Sequence, residues 1–188
     1  MESLYRVSSN LWFTSDTHFA HNKIQEFCPD TRYQGSLLEH DEILIENWNS
    51  CVRKGDRIYH LGDFSFGSRE YTEALCKRLK GDKHLIYGNH DEVLRTPKFA
   101  PYFSSRQEYK EIRVDNIKVC MFHFPIHEWN QCHRGSYHLF GHVHSTYKTV
   151  GGKSLNVGID SRTNPRMMPW HWDEVRANLE HLDNKAHH

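Results

Sequence analysis

Hydrophobic side chains recur with two different periods along this chain, which predicts alternating strands and helices in its first half. Short apolar runs of strand length occupy 11–15, 57–61 and 84–87, and each run stops at a glycine or a polar residue. Between them, apolar residues return every three to four positions over 37–52 and 70–80, which is the period of an amphipathic helix. The first half is therefore predicted to be β-α-β-α-β.

The second half is predicted to consist mostly of strands. Residues 109–114 and 117–122 flank Asp115-Asn116, which is a two-residue hairpin signal. The remaining apolar runs predict two strands and a closing helix: 137–140, 154–159 and a helix that opens at Pro169. Alternating strands and helices followed by further strands are typical of an α/β protein.

Length and composition add limits to this prediction. The 188 residues suffice for one domain, 1–188; residues 185–188 are set aside because His187-His188 resembles the remnant of a purification tag. Lys+Arg and Asp+Glu balance at 24 each, which does not favour a long nucleic-acid track. No apolar run approaches the roughly 18 residues that span a bilayer. Five widely spaced cysteines without a Cys-x-x-Cys pair indicate reduced thiols, and the N-terminus lacks a signal-peptide core. We expect a cytoplasmic protein without a membrane partner.

Metal-binding side chains follow five of the predicted strands. They form the motifs Asp16-Thr17-His18, Gly62-Asp63, Gly88-Asn89-His90-Asp91, His123 and Gly141-His142-Val143-His144. In open α/β sheets, ligands gather beyond the carboxyl ends of the strands, and neighbouring strands lie about 4.8 Å apart. Side chains from adjacent strand ends can therefore meet around two ions about 3.5–4 Å apart.

Spacing within the motifs supports the same prediction. Asp16 and His18 are two residues apart, as are His142 and His144, and in extended backbone such pairs point to one side. We expect the motif glycines to permit positive φ and close backbone approach at the bends; they are Gly62, Gly88 and Gly141. All the ligands are oxygen or nitrogen donors, which suits Mn²⁺, Fe, Co²⁺, Ni²⁺ or Zn²⁺.

The ordered set of motifs resembles that of the calcineurin-like metallophosphoesterase superfamily, over about residues 11–160. The stretches FTSDTHFAHNKI and YHLGDF resemble the small, compact bacterial and phage-type members in particular. The resemblance implies an α/β fold, a four-layer αββα sandwich with mixed sheets. A protein Ser/Thr phosphatase is not favoured, because Gly62-Asp63 continues as Phe64-Ser65 where that branch has Asp-Arg-Gly.

The resemblance also implies a role for each motif residue. One metal ion would take Asp16, His18, Asp63 and His144. The second would take Asp63, Asn89, His123 and His142, so that Asp63 bridges two divalent ions, with Mn²⁺ the leading candidate. His90 would face the substrate and give a hydrogen bond or proton to the leaving oxygen, and Asp91 would orient His90.

This site predicts a metal-dependent phosphoric ester hydrolase. Two divalent ions bring four positive charges and two carboxylates offset two of them, so a phosphate anion is attracted. The expected reaction is in-line attack of a metal-bound hydroxide on phosphorus. The substrate would be a small phosphodiester or phosphomonoester, with nucleotides among the candidates.

Loop residues are weaker candidates for substrate contacts. His21 and Asn22 follow the first motif and could line the substrate mouth. Arg32 could clamp a phosphate bidentately or be a solvated loop arginine. His127 could border the pocket together with Trp129, or both could belong to a packed loop.

Two other functions stay open at this stage. One is a single-strand nuclease of the same superfamily, although the neutral charge and the lack of room for an added domain do not favour it. The other is a non-catalytic metal-binding scaffold for protein interactions. The intact motif set, His90 included, favours an enzyme.

Overall fold

Nine strands and four α-helices form the structure, a computed structural model that describes residues 10–162 and 167–186. The strands are β1 (Leu11–Thr14), β2 (Arg57–His60), β3 (Asp82–Ile86), β4 (Ser105–Gln107), β5 (Tyr109–Val114), β6 (Ile117–Phe122), β7 (Tyr137–Phe140), β8 (Ser154–Asn156) and β9 (Trp170–His171). The α-helices are α1 (Ile24–Phe27), α2 (Leu37–Cys51), α3 (Arg69–Arg78) and α4 (Trp172–Leu179). Short 3₁₀ helices cover Glu92–Arg95, Pro97–Tyr102, Cys132–Arg134 and Ile159–Ser161. The His187-His188 pair lies outside the described residues.

The predicted helices α2 and α3 are confirmed, and their starts have local causes. Ser36 Oγ accepts a hydrogen bond from Glu39 N, and the Glu39 carboxylate accepts one from Ser36 N, which together form a capping box. Ser68 caps α3 with one hydrogen bond, which its side chain accepts from Tyr71 N. The hairpin is confirmed as well, because Asp115 and Asn116 both have positive φ, 48° and 66°.

The C-terminal helix begins later than predicted. Residues 170–171 first pair with β1 as the antiparallel strand β9, and His171 then caps α4 by accepting a hydrogen bond from Asp173 N. The strand predicted over 154–159 ends at Asn156, because the chain turns at Gly158 into a 3₁₀ helix. The short elements α1, β4 and β9 are additions to the predicted set.

Two mixed sheets carry the fold. The five-stranded sheet has the order β4-β3-β2-β1-β9, with β9 the antiparallel member. The four-stranded sheet has the order β5-β6-β7-β8, with β5 antiparallel to β6 and the others parallel. The carboxyl ends of β1, β2 and β3 therefore lie at one edge of the first sheet, as those of β6, β7 and β8 do in the second.

Apolar side chains hold these layers together. Between the sheets, Phe13 and Tyr59 pack with Val119 and Leu139, and each is at most 2% exposed. Removing such side chains from water contributes about 1.5–3 kcal/mol each. Helix α4 joins this core through Trp172, whose Nε1 donates a hydrogen bond to Asp115 Oδ2 (2.8 Å) and so ties α4 to the hairpin turn.

The outer faces of the two sheets are covered differently. Leu44 and Trp48 of α2, with Leu75 of α3, pack on the first sheet. On the second sheet, Trp129 and Cys132 pack against Cys120 of β6, from a segment whose regular structure is one 3₁₀ turn. The predicted α/β arrangement of two mixed sheets with flanking helices is confirmed. Among the described residues, no helix is long and apolar enough to cross a membrane.

Candidate metal centre

The five motifs meet at the common edge formed by the strand ends. Each motif directly follows a strand: β1, β2, β3, β6 and β7. Backbone hydrogen bonds join the loops to each other. Asp16 N donates to Gly62 O and Gly141 N donates to His123 O, each with an N···O distance of 2.9 Å. The loops consequently form one surface on which side chains from distant parts of the chain converge.

Six of the seven predicted metal ligands form two triads. Asp16, His18 and His144 place one ligand atom each within 4.8 Å of one another. The second triad, with the same spacing, consists of Asp63, His123 and His142. These two groups match the predicted division of ligands between two ions.

Asp63, a member of the second triad, also faces the first. Its Oδ2 is 3.6 Å from Nε2 of His18 and 3.6 Å from Nε2 of His123. One carboxylate oxygen thus faces a ligand from each triad, which is the position that a bridging ligand requires. Oδ1 of the same carboxylate accepts a hydrogen bond from the backbone of His90 (3.0 Å), which fixes its orientation.

Asn89 completes the second triad. Its Oδ1 lies 3.0 Å from Nε2 of His123, while Nδ1 of His123 is 2.7 Å from the carbonyl oxygen of Leu61. Because that carbonyl only accepts, Nδ1 carries the proton and the lone pair of Nε2 faces the amide oxygen. Two acceptors this close favour a cation between them, so the donor set fits a divalent metal ion.

The surroundings of His18 support the same conclusion for the first triad. His18 is 5% exposed, and neither of its ring nitrogens has a hydrogen-bond partner among the described residues. Its Nε2 faces Asp63 Oδ2 and, at 3.9 Å, Asp16 Oδ1. Burial lowers the pKa of His18 and favours its neutral form. A neutral buried imidazole aimed at two carboxylates has the chemistry of a metal ligand.

The backbone at the ligands differs from the extended conformation that we expected. Five of the seven have left-handed backbone: Asp16 (φ 57°), His18 (50°), Asp63 (56°), His142 (69°) and His144 (48°). The expectation of extended i, i+2 pairs was therefore wrong, because each member sits on a tight turn after its strand. Left-handed backbone is uncommon outside glycine, although Asp and His adopt it more often than most residues.

Close approach, more than positive φ, explains the motif glycines. A Cβ at Gly88 would lie 2.2 Å from Asp63 Oδ1, and one at Gly141 would lie 2.4 Å from Asp16 Oδ2. Gly62 alone of the three has positive φ, 94°, and its Cβ would also lie 2.4 Å from Gly88 N. Side chains at these positions would occupy the space of the ligands themselves.

Asp91 does not have the role expected for it. Its buried carboxylate accepts three backbone N–H bonds, from Asp63 (2.9 Å), Phe64 (2.9 Å) and Gly88 (2.8 Å). The expectation that Asp91 orients the His90 ring is corrected, because its oxygens face the backbone of two motif loops. Asp91 positions the loops that present Asp63 and Asn89.

His90 and His21 lie around an aromatic side chain that the sequence did not reveal. The Phe66 ring is centred 4.7 Å from His90, 4.3 Å from His21 and 5.1 Å from His18. His90 is exposed at the mouth of the site, and Phe66 is 38% exposed. His21 and Asn22 line a cavity of about 340 Å³ with Ala20, Lys23 and Phe66.

Arg32 is neither a phosphate clamp nor a solvated loop residue. It is 1% exposed, and its Nε and Nη2 donate to Oδ1 (2.7 Å) and Oδ2 (2.6 Å) of Asp160. Its other bonds go to the carbonyl oxygens of Asp16 and Thr17. Both expectations are therefore corrected: four of the five N–H donors are used inside the protein, so this guanidinium does not bind a substrate phosphate.

Of the last two loop candidates, Trp129 is a packing residue. Its indole is 5% exposed and donates to the carbonyl oxygen of Ser136 (3.1 Å). His127 is exposed on the same loop, and among the described residues no hydrogen bond or ring contact joins it to a motif side chain. The structure thus does not bring His127 into the metal centre.

Phe124 and Asp160 also belong to the surroundings of the centre. The Phe124 ring is centred 4.9 Å from His123 and 4.5 Å from His142, and it is 37% exposed. Asp160 is 1% exposed and accepts a hydrogen bond from Nδ1 of His144 (2.8 Å). Neither residue belongs to a sequence motif. Phe124 directly follows the predicted ligand His123, however, and this position was a signal that it lies beside the centre.

Known proteins resemble this chain in sequence or in fold. "Gene 66 protein" of Mycobacterium phage D29 is 30% identical to this chain, covering 93% of it and 98% of the phage protein. An uncharacterized protein of Methanocaldococcus jannaschii is 29% identical, covering 80% of this chain and 81% of its own. The crystal structure of an Aquifex aeolicus protein of unknown function superimposes with a TM-score of 0.71 at 23% identity, covering 90% of this chain and 98% of that one.

A family model also matches most of the chain. The calcineurin-like phosphoesterase superfamily domain aligns with residues 10–159, a range that contains all five motifs. With the motif order, the paired triads and this match, the chain belongs to the calcineurin-like phosphoesterase superfamily.

Proposed function

We propose that this protein is a phosphoric ester hydrolase that depends on two divalent metal ions and cleaves a small phosphodiester or phosphomonoester. The observation that carries the proposal is the place of Asp63, whose Oδ2 lies 3.6 Å from a histidine of each triad. A single shared carboxylate between two nitrogen-rich triads is suited to a dinuclear centre.

The ligand set supports catalysis at a phosphoryl group. When bound, two divalent ions would offset charge on phosphoryl oxygens and lower the pKa of a coordinated water. Asp16 and Asp63 supply only two negative charges, so a bound metal pair leaves the site positive and attractive to an anion. Mn²⁺ is the proposed ion, and the oxygen and nitrogen donors are equally compatible with Fe, Co²⁺, Ni²⁺ and Zn²⁺.

His90 is proposed to protonate the leaving oxygen. Its backbone N–H is anchored to Asp63 Oδ1, and its ring is exposed beside Phe66 and 6.2 Å, centre to centre, from His18. A ring so placed is outside the ligand triads but within reach of a substrate bound to them. General acid catalysis by such a group contributes roughly 10²–10⁴-fold to the rate.

Two half-exposed phenylalanines favour a substrate with a planar ring. Phe66 stands beside His18 of the first triad, and Phe124 stands beside His142 of the second. Exposed aromatic rings next to a polar centre contribute stacking contacts that a compact alkyl phosphate does not use. The cavity next to Phe66 adds the amide of Asn22 and the cation of Lys23. Nucleotides and aryl phosphate esters are therefore the proposed substrate class.

A substrate panel tests this proposal. Chelator-treated protein is supplied with Mn²⁺ and assayed on p-nitrophenyl phosphate, bis-p-nitrophenyl phosphate, mononucleotides, cyclic nucleotides and glycerol phosphate. Metal-dependent hydrolysis of the aryl and nucleotide esters is expected, with Phe66→Ala raising KM for them more than for glycerol phosphate. Absence of turnover with Mn²⁺ and, in parallel samples, with Fe²⁺, Co²⁺, Ni²⁺ and Zn²⁺ would contradict the proposed enzyme and leave the scaffold alternative.

A second arm separates the nuclease alternative. Single-stranded DNA is incubated with the Mn²⁺-loaded protein at several salt concentrations. Cleavage that falls steeply with salt would favour a nuclease, because phosphate contacts along a strand make binding salt-dependent. The proposed small-ester hydrolase predicts instead that the small esters are the better substrates and that salt has little effect. We place the reaction in the cytoplasm, where five free cysteines would remain reduced.

A further inference from the structure

A buried carboxylate outside the five motifs is attached to the first triad. We propose that Asp160 is a positioning residue that fixes the ring of His144 for metal binding, and that Arg32 links it to the backbone of the first motif. The inference rests on the dinuclear centre proposed above. The superfamily match ends at residue 159, so Asp160 lies just beyond it.

The contact with Asp160 determines which nitrogen of His144 is free for a metal ion. Nδ1 of His144 is 2.8 Å from Oδ2 of Asp160, and the carboxylate is 1% exposed. Because a carboxylate accepts, the proton of neutral His144 resides on Nδ1, and Nε2 keeps the lone pair that a metal ion needs. The same contact holds the ring in the triad with Asp16 and His18.

Asp160 is itself immobilised from two directions. Its Oδ1 accepts hydrogen bonds from Thr31 Oγ1 (2.6 Å) and Arg32 Nε (2.7 Å). Its Oδ2 accepts one from Arg32 Nη2 (2.6 Å) in addition to that from His144. Both oxygens of the carboxylate are therefore fixed, and its orientation toward His144 is set by the guanidinium plane.

Arg32 extends the link to the first motif. Its Nη2 donates to the carbonyl oxygen of Asp16 (2.6 Å) and its Nη1 to that of Thr17 (2.9 Å). This is the turn on which Asp16 and His18 have positive φ. One buried guanidinium thus fastens the loop that carries two ligands, and through Asp160 it fastens the third ligand, His144. Ligands more than a hundred residues apart are held in one arrangement before a metal ion arrives.

The same residues do not form a separate cation site. Cys28, His144 and Asp160 place ligand atoms within 4.8 Å of one another, and Cys28 Sγ is 3.7 Å from Nδ1 of His144. A cation there would have to displace the Nδ1 proton and compete with the positive charge of Arg32 on the same carboxylate. The cluster is therefore assigned as the support of the first triad.

The expected consequence is selective. Loss of the carboxylate behind a metal-binding histidine lowers metal affinity by about 10–100-fold. This loss should affect the site built on Asp16, His18 and His144. The site built on His123 and His142 does not contact Asp160 among the described residues, so its affinity should stay within about threefold.

The test titrates Mn²⁺ into chelator-treated Asp160→Asn by calorimetry, with circular dichroism to confirm folding. Asp56→Asn is the matched control, because Asp56 is also a buried acceptor (5% exposed), bonded to Trp12 Nε1 and to Arg53 N. We expect one of two binding events to weaken about 10–100-fold in D160N and neither to change in D56N. Unchanged affinity at both sites in folded D160N would overturn the proposal.

D160N leaves the Arg32 charge buried without its counter-ion, so this variant could fail to fold. A second variant covers that case. Thr31→Val removes one hydrogen bond to Oδ1 and keeps every charge. It should weaken the same binding event by a few-fold and leave the other unchanged. Equal affinities for wild type and T31V would count against the proposal in that case.

Imidazole ¹⁵N spectra of the Zn²⁺-loaded protein give a second readout. Wild-type His144 should show its proton on Nδ1 and its metal-bound nitrogen as Nε2, and D160N should show this arrangement in only part of the population. If wild type binds metal but hydrolyses no ester, the proposed function fails and this inference stands on the titration. If wild-type His144 carries its proton on Nε2, this inference fails whatever the activity.

Discussion

The backbone N–H of Asp63 donates a hydrogen bond to the carboxylate of Asp91, twenty-eight positions later in the chain, with an N···O distance of 2.9 Å. The same carboxylate accepts N–H bonds from Phe64 and Gly88. The backbone of Asp63 and the loop that follows β3 are therefore held by one buried acceptor. Asp91 thus acts on the centre through the backbone.

Replacement of Asp91 should destabilise the protein as well as the centre. Asp91→Asn keeps one acceptor oxygen but turns an N–H₂ group toward buried backbone N–H donors. A buried polar group left without its partner costs about 1–3 kcal/mol, so we expect a loss of about 2–4 kcal/mol in the free energy of unfolding. Urea denaturation measures it, with the exposed Asp183→Asn as the control. Surface substitutions usually change the free energy of unfolding by less than about 0.5 kcal/mol, so a change this small in D91N would contradict the role of Asp91.

Asp63 should matter to both metal ions. Because its Oδ2 faces His18 and His123 alike, Asp63→Asn should abolish or severely weaken both binding events in a calorimetric titration with Mn²⁺. Asn89→Ala should weaken only one, since Asn89 contacts His123 of the second triad. If D63N retained one site of wild-type affinity, the bridging assignment would be refuted.

His90 should affect turnover without affecting metal binding. His90→Ala is expected to lower kcat by about 10²–10⁴-fold, because the leaving oxygen loses its proton donor. Its Mn²⁺ titration should match that of wild type, since His90 is hydrogen-bonded to a predicted ligand through its backbone, which the substitution keeps. The exposed His181→Ala serves as the control. A wild-type kcat in H90A would exclude the proposed acid.

Two glycines with the same backbone conformation separate steric conflict from strain. Gly62 and Gly55 both have φ of 94°, so an alanine at either is strained by about 1–2 kcal/mol. A Cβ at Gly62 would lie 2.4 Å from Gly88 N, whereas one at Gly55 would meet no described heavy atom within 4 Å. We expect Gly62→Ala to lose about 1–3 kcal/mol more than Gly55→Ala in urea denaturation, and to lose metal affinity. Equal losses would show that the close approach is unimportant.

Two buried histidines predict a dependence of stability on pH. Burial lowers the pKa of His138 to about 4 and that of His60 to about 3, from an ordinary value of 6.5. Below pH 6.5 these histidines become protonated in the unfolded chain but stay neutral in the folded state. The free energy of unfolding therefore falls by about 1.4 kcal/mol per pH unit for each histidine. The loss should run from pH 6.5 down to about pH 4 for His138.

Metal-free protein is the right sample for this measurement, so that metal release does not contribute. Urea denaturation at pH 7 and pH 5 should show the fall, and His138→Gln should show a shallower one. His138 donates to Cys120 O and accepts from Ile126 N, both of which a glutamine amide could satisfy. Identical pH slopes for wild type and H138Q would rule out His138 as a cause.

The sequence predicted those parts of the fold that are periodic or local. Helices α2 and α3 and the Asp115-Asn116 hairpin depend on spacing and on neighbouring residues, which a sequence displays directly. Strand β9 is only two residues long and exists because it pairs with β1, more than 150 positions away. Such an element has no period of its own to detect.

The centre was predictable as a set of residue types and not as a geometry. Order and spacing selected the seven side chains that the structure brings together, because strand ends in parallel sheets converge. The role of Arg32 was not visible, since its partner Asp160 lies 128 positions later and neither residue belongs to a motif. Phe66 was missed because its importance depends on three histidines that only the fold brings around it.

The left-handed turns at the predicted ligands lower the stability of the fold while they present the side chains needed for metal binding. Each non-glycine residue held in this conformation costs on the order of 1–3 kcal/mol, and five of the predicted ligands adopt it. Glycine at His142 or His144 would relax the chain while removing an imidazole. A screen for thermal stability alone, carried out without metal, would therefore select such changes. The selected variants would keep the fold, melt at a higher temperature and lack side chains that the proposed metal centre needs.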